Sequence, residues 1–426
     1  MKNKFITSTI ILILGGGITK ILAMIIRIFL TRSIGENGTI LYMAILPTFN
    51  LFITLSTLSL STGISKLISE RISSKKTILS IIPPSMIYNF ILMLILIIFS
   101  PFIANNLLQN KDTYYPIMAI SFTLPFICLS NILKGYFFGK ENMLPYVISN
   151  ILEQTIRLLF IIYLIPKLLI YGINIAASFV VLINIISELS SSICLILFIP
   201  NKKILINDFK IDKNIIKDIL NISIPSTGSR LIGSISYFLE PIILTFIMTK
   251  CGYSNSYILK EYGIITGFVY SLLLLPSFFT SAISNSLLPV VASNYSRGNK
   301  NYAKYKLKQA ITISLIIGIT FTVIFILFSN TLLKLIFNTN LGNNYIKIIA
   351  PFFILHYIQG PLTSYLQAIN KSHIAMKGTL EASIIKILFM IILPIFIGIW
   401  GFIISTIIDI FYVTMQHIYY IKKSFT

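Results

Sequence analysis

FITSTIILILGGGITKILAMII, residues 5–26, runs for twenty-two residues with a single charge, Lys20. About 20 apolar residues in a helix match the thickness of a bilayer core, so this stretch reads as a membrane span. Working outward, similar runs recur near 40–62, 78–99, 115–133, 144–166 and 171–199. They resume near 219–248, 263–288, 309–329, 346–369, 379–397 and 400–421. Of the 426 residues, 56% are hydrophobic and 11% charged, with a mean hydropathy of +0.88. A soluble core of this length cannot bury so much apolar surface. The chain therefore reads as an all-α membrane protein with about twelve transmembrane helices. That excludes a soluble enzyme, a disordered chain and any sizeable extramembrane domain. The first run begins too near Met1, and continues too long without a cleavage pattern, to be a removable signal peptide.

Net charge is +21, which in another context would suggest nucleic acid, but no separate basic domain exists to bind it. Topology accounts for the charge instead. The N-terminus, the even-numbered loops and the C-terminus hold 22 of the 34 cations, and the odd-numbered loops hold seven. The positive-inside rule then places both termini in the cytoplasm of a multi-pass protein of the cell membrane.

The longest polar stretch, PNKKILINDFKIDKNIIKD at 200–218, lies almost at mid-chain. It reads as a cytoplasmic linker between two six-helix bundles, 1–199 and 219–426. SNILKGYFFGKENM (130–143) and TSYLQAINKSHIAM (363–376) occupy the same place in each half. Six spans is an even number, so the halves form a parallel pseudo-repeat, a transporter architecture with the substrate site between the repeats.

Ten ionisable residues fall inside the expected spans: Lys20, Arg27, Glu153, Arg157, Glu188, Arg230, Glu240, Glu381, Lys386 and Asp409. Each costs about 2.5–3.5 kcal/mol at a helix centre on insertion scales, so they should avoid lipid. Helical spacing groups them further. Gly16, Lys20, Arg27 and Thr31 share one face, as do Asn184, Glu188 and Ser191, and Arg230, Ser234 and Tyr237. Ser405, Asp409 and Tyr412 form another stripe, and Glu153–Arg157 is a natural i,i+4 ion pair. Polar stripes on five helices fit a polar interior. The bland alternative is structural ion pairing and snorkelling, which suits Glu153–Arg157 as well as a binding role does. Lys20 and Arg230 have no acid one turn away, which favours function.

Cys128, Cys194 and Cys251 are isolated, and His356, His373 and His417 form no ligand cluster, so neither disulfide, metal nor other cofactor is expected. GGGITK (15–20) lacks the phosphate-loop spacing and suits close helix packing or a local break. No ATP-binding motif is present.

GGGITKILAMIIRIFLTRSIGENG (15–38), STGISKLISE (61–70) and KGYFFGKENMLPYVISNILEQTIR (134–157) resemble the stage V sporulation protein B type of lipid-linked oligosaccharide flippase. IPSTGSRLIGSIS (224–236) and YGIITGFVYSLLLLPSFFTSAISNSLLPVVASNYSRGN (262–299) resemble it in the same order. That family belongs to the multidrug/oligosaccharidyl-lipid/polysaccharide (MOP) exporter superfamily, with the MurJ-like lipid II flippases. The resemblance implies a MATE-like fold of two six-helix bundles around a cavity that opens alternately inward and outward. It implies a lipid-linked oligosaccharide as substrate, a setting among membrane lipids, and cell-wall synthesis enzymes as partners. Many members carry two further C-terminal helices. The twelve spans read here depart from that pattern, which leaves open the lipid-tail groove those helices would form. Lys20, Arg27 and Arg230 match cationic positions of the family's first and seventh helices, and Glu153 and Arg157 join them as substrate-binding candidates. A diphosphate also suits arginine's forked donors. Glu240, Glu188 and Asp409 are candidates for coupling an ion; no residue is expected to be catalytic.

Three other readings compete. A drug or organic-cation exporter of the same fold calls for a carboxylate-dominated cavity, whereas the first helix offers Lys20 and Arg27. A major-facilitator transporter lacks its loop motif here, since ISKLISERISSKK (64–76) stands in its place. A membrane glycosyltransferase calls for paired outer carboxylates, and the odd loops offer only Glu36, Asp112 and Glu261.

Overall fold

A computed structural model describes residues 2–70, 74–199 and 212–424. Among these the protein is helical throughout, with no strand. The first two expected spans lie on one run, α1 (Lys2–Thr57), broken at Gly35. There φ is 69° and ψ −173°, a conformation essentially confined to glycine. After Leu58 and Ser59 comes α2 (Leu60–Glu70), followed by α3 (Ser74–Phe102), α4 (Tyr114–Gly139), α5 (Met143–Leu168) and α6 (Ile173–Leu197). The chain continues through α7 (Lys213–Lys250) to a bent pair. This consists of α8 (Asn255–Ile264), a π-helical turn, α9 (Tyr270–Leu273), and then a 56° bend into α10 (Ser277–Ser296). Finally α11 (Lys300–Phe337), α12 (Asn343–Ala368), α13 (Ser372–Ile397) and α14 (Trp400–Lys423) complete the fold.

Nine described helices are long and apolar enough to cross a membrane, ten with the bent pair. Because α1 holds two spans and α12 covers the expected 346–369 run, every expected span falls on a helix. Outward side chains such as Ile98 and Phe396, 72% and 77% exposed, are apolar. That suits a lipid-facing surface, where association between helices rests on close packing rather than on expulsion of water.

The chain divides into two compact units, Met1–Phe238 and Leu239–Thr426. The division falls inside α7. The expected linker lies, over 200–211, outside the described residues. In the first unit Ile64, Leu67 and Ile68 of α2 pack with Ile132 and Tyr136 of α4 and with Ile215 and Ile219 of α7. A second cluster joins Leu30 and Ile34 of α1 to Ile161 and Ile165 of α5 and Val180 of α6. Gly15 packs so closely on Val147 that any larger side chain would collide with it, in keeping with the packing role read from GGGITK. In the second unit Leu287, Val291, Leu307, Tyr365 and Leu366 share a core with Ile421 of α14.

Candidate functional site

Four charges on three neighbouring helices make the tightest polar group of the first unit. Glu153 on α5 accepts from Arg157 one turn on, at 2.9 Å, and from Lys134 of α4, at 2.7 Å. Glu188 of α6 lies 3.7 Å from the same ammonium. Arg157 also donates to the Ser187 hydroxyl at 3.4 Å. The two acids are 7% and 11% exposed and the two cations 15% and 21%, so the group is largely withdrawn from its surroundings. Two positive and two negative charges close it electrically. The expected Glu153–Arg157 pair is present, inside a larger network.

By sequence Lys134 lies just beyond the 115–133 run and so reads as a loop cation. It belongs to α4 and points at two buried acids. The available signal was Glu153 and Glu188 themselves, because two acids on adjacent spans demand a buried cation.

Arg27 of α1 reaches across the Gly35 break to the Met43 thioether, 3.8 Å away, and lies in electrostatic range of Tyr42 and Tyr237. Tyr42 in turn lies in range of both Arg27 and Arg157. Lys20, two turns earlier, is exposed and makes no hydrogen bond or ion pair among the described residues.

Arg230 lies on the first-unit part of α7 and is also exposed. Its Nη1 donates to the Ser59 hydroxyl at 3.4 Å, at the junction of α1 and α2. Leu58 and Ser59 both adopt left-handed backbone there, with φ of 42° and 49°. Non-glycine residues held so are strained, and such strain concentrates at functional positions. Ser223 donates to the Ser59 carbonyl at 3.4 Å, and the Thr54 and Ser234 hydroxyls share a 2.8 Å hydrogen bond. Lys20, Arg27 and Arg230 thus all belong to one compact unit.

The second unit has its own charged group. Glu240, on the later part of α7, accepts from Lys386 of α13 at 2.7 Å, with both side chains about as buried as their first-unit counterparts. Lys386 also sits 5.6 Å from the centre of the Phe402 ring. Asp409 of α14 lies in electrostatic range of both Lys386 and Glu240. Two acids share one cation, so by formal charge the group has a negative surplus. Elsewhere Glu381 accepts from Tyr412 at 2.9 Å, and no cluster of potential metal ligands occurs among the described residues.

This geometry consists of ion pairs and hydrogen bonds between helices that are long and apolar enough to cross a membrane. A membrane transporter is the class such a structure defines. The family model described as polysaccharide biosynthesis protein matches residues 5–295, and one described as MatE matches 233–392. Stage V sporulation protein B of Bacillus subtilis (strain 168) is 34% identical over 99% of this chain and 84% of that protein. Lipid II flippase MurJ of the same organism is 22% identical over 91% and 77%. Among solved structures, an inward-facing multidrug resistance MATE family transporter of the MOP superfamily superposes with a TM-score of 0.72 at 17% identity, covering 94% and 93% of the two chains. Lipid II flippase MurJ in an inward closed conformation gives 0.74 at 15%, covering 96% and 87%. The chain belongs to the polysaccharide biosynthesis protein family, within the MOP transporters and flippases.

Proposed function

We propose that this protein is a flippase for a polyprenyl-diphosphate-linked saccharide, moved across the cytoplasmic membrane by alternating access. The observation that carries the reading is the set of cations on α1 and early α7. Lys20 and Arg230 are exposed within apolar spans, and Arg230 meets only a neutral hydroxyl at 3.4 Å among the described residues. Cations placed so are costly until an anion arrives. A diphosphate relieves that cost while its polyprenyl tail stays in lipid. Lys20, Arg27 and Arg230 receive the diphosphate, and Arg157 with Glu153 supports Arg27 through Tyr42. The names of the sporulation and lipid II relatives support a cell-wall or spore-wall precursor as cargo. The 22-to-seven cation asymmetry supports cytoplasmic termini.

The test is binding of a lipid-linked diphosphate sugar to the protein in nanodiscs. A hydrogen bond to a charged partner contributes about 1.5–3 kcal/mol, so Lys20→Gln and Arg230→Gln should each weaken binding roughly 10- to 150-fold. Arg230→Lys should recover part of this, because it keeps the charge and loses the fork. Wild-type affinity in both single variants and in their double would sink the shared site.

A second reading rests on the negative surplus of Glu240, Lys386 and Asp409. In the flippase it supplies the coupling ion's site, with Glu188 as the first unit's alternative. In an organic-cation exporter it would hold the cargo. Transport of an organic cation by the purified protein, without response to lipid-linked sugars, would decide for the exporter.

A further inference from the structure

The segment FNTNLGNNY, residues 337–345, carries four asparagines in nine residues. It forms the α11–α12 turn at one end of the second unit. Tyr253 of the α7–α8 turn packs against Gly398 of the α13–α14 turn at the same end. Beside the α11–α12 turn lies an open cleft of ≈ 640 Å³, within the usual size of small-ligand sites, about 300–1,000 Å³.

The lining has a particular chemistry. Asn330, Asn340, Asn343 and Asn344 bring side-chain amides, each able to donate and accept. Trp400 and Tyr345 line it too, half-buried, their rings 5.1 Å apart at 68°. The Tyr345 hydroxyl donates to Glu261 at 2.6 Å, which orients the ring and leaves the carboxylate most of its accepting capacity. Among the described residues no lysine or arginine lines the cleft. Vicinal hydroxyls need neighbouring donors and acceptors, and the C–H faces of a pyranose need an aromatic wall. An anion, in contrast, would meet one carboxylate and no cation.

Interfacial aromatic residues are common at membrane borders for anchoring alone. Here the two rings meet edge to face beside a wall of amides, and an anchor has no use for those amides. We propose that this cleft is a binding site for a neutral saccharide, separate from the cationic site on α1 and α7. The inference deepens the flippase reading and rests on its topology, which puts the α11–α12 turn on the outer side. There the cleft would take the sugar part of the cargo, while its diphosphate is handled elsewhere.

Trp400 is the chain's one tryptophan, so its emission reports on the cleft without labelling. The purified full-length protein is titrated with a panel of neutral mono-, di- and trisaccharides of hexoses and N-acetylhexosamines. Sorbitol and inorganic pyrophosphate serve as controls. A saturable change in Trp400 emission is expected with at least one saccharide and with neither control. Asn340→Ala and Asn344→Ala alter exposed side chains, so folding is retained. Each should weaken the binding about 3- to 10-fold, the usual effect of one lost hydrogen bond. Saturation-transfer NMR of the sugar protons gives a second readout that also serves Trp400→Ala.

Absence of saturable binding across the panel by both methods would overturn the site, as would unchanged affinity in both asparagine variants. A response to pyrophosphate equal to that of the sugars would overturn its neutral chemistry. The outcomes also separate the two proposals. Transport of a lipid-linked sugar without saccharide binding here removes the cleft alone. Saccharide binding by a protein that moves no lipid-linked sugar removes the flippase reading and keeps the cleft.

Discussion

The two units handle buried charge differently. In the first, Lys134, Glu153, Arg157 and Glu188 form a balanced group of two cations and two anions on α4, α5 and α6. In the second, Lys386 is the one cation that faces Glu240 and Asp409 among the described residues, the three lying on α13, α7 and α14. In the balanced group Lys134 pairs with two acids and Glu153 with two cations, so each of these two keeps one opposite neighbour when one of its partners is lost. A group hanging on one cation has no such reserve. The first arrangement suits a permanent brace, and the second suits a place where a mobile positive charge is admitted.

The largest effect should come from removing the single cation. Lys386→Met leaves the buried Glu240 and the half-buried Asp409 without a counter-charge, and breaking a buried pair costs about 3–5 kcal/mol. The unfolding midpoint in detergent should drop sharply, and Glu240→Gln added to it should restore most of the loss. Failure of the double variant to recover would show that Lys386 acts through packing on Phe402 instead.

Next in size is Glu153→Gln in the balanced group. Lys134 still has Glu188, and Arg157, 21% exposed, keeps the Ser187 hydroxyl and can bond the new amide oxygen, so the cost should be nearer that of one charge-assisted hydrogen bond, about 1.5–3 kcal/mol. A loss equal to that of Lys386→Met would erase the contrast between the units. Asp409→Asn should change stability by about 1 kcal/mol or less, since Glu240 keeps its direct bond to Lys386. Its effect should fall on transport, which should lose its dependence on an imposed ion gradient. If the gradient dependence survives, the negative surplus does not couple an ion.

At the small end is Lys377→Gln. Lys377 is 64% exposed and 3.7 Å from Glu381. Exposed pairs of this kind contribute about 0–1 kcal/mol, so the midpoint should stay essentially in place. A drop comparable to that of Glu153→Gln would mean that exposure does not discount ion pairs here as assumed.

Much of this was readable in the chain before any coordinates. Apolar runs fixed the helices because a bilayer leaves the backbone no other solution. The Glu153–Arg157 pair followed from helical spacing alone. Lys134 was missed because proximity to a polar GKEN stretch made it look like a loop residue, and only tertiary placement brings it to Glu153. Lys386 was recognised as an intramembrane charge, but its partner sits 146 positions away, and no periodicity spans that distance. The asparagine cleft was invisible for the same reason, since Trp400 and Glu261 join the 337–345 turn only through folding.

The junction at Leu58 and Ser59 has a thermodynamic consequence. Two consecutive non-glycine residues in left-handed backbone store about 1–3 kcal/mol each. Straightening the junction into right-handed helix would release that energy, and the bonds from Arg230 and Ser223 to Ser59 oppose it. An anion that draws Arg230 away removes part of the opposition. Linkage is reciprocal, so a straightened junction must bind that anion more tightly by the same factor. Under the flippase reading proposed above, the junction between α1 and α2 would act as a spring whose catch is Arg230.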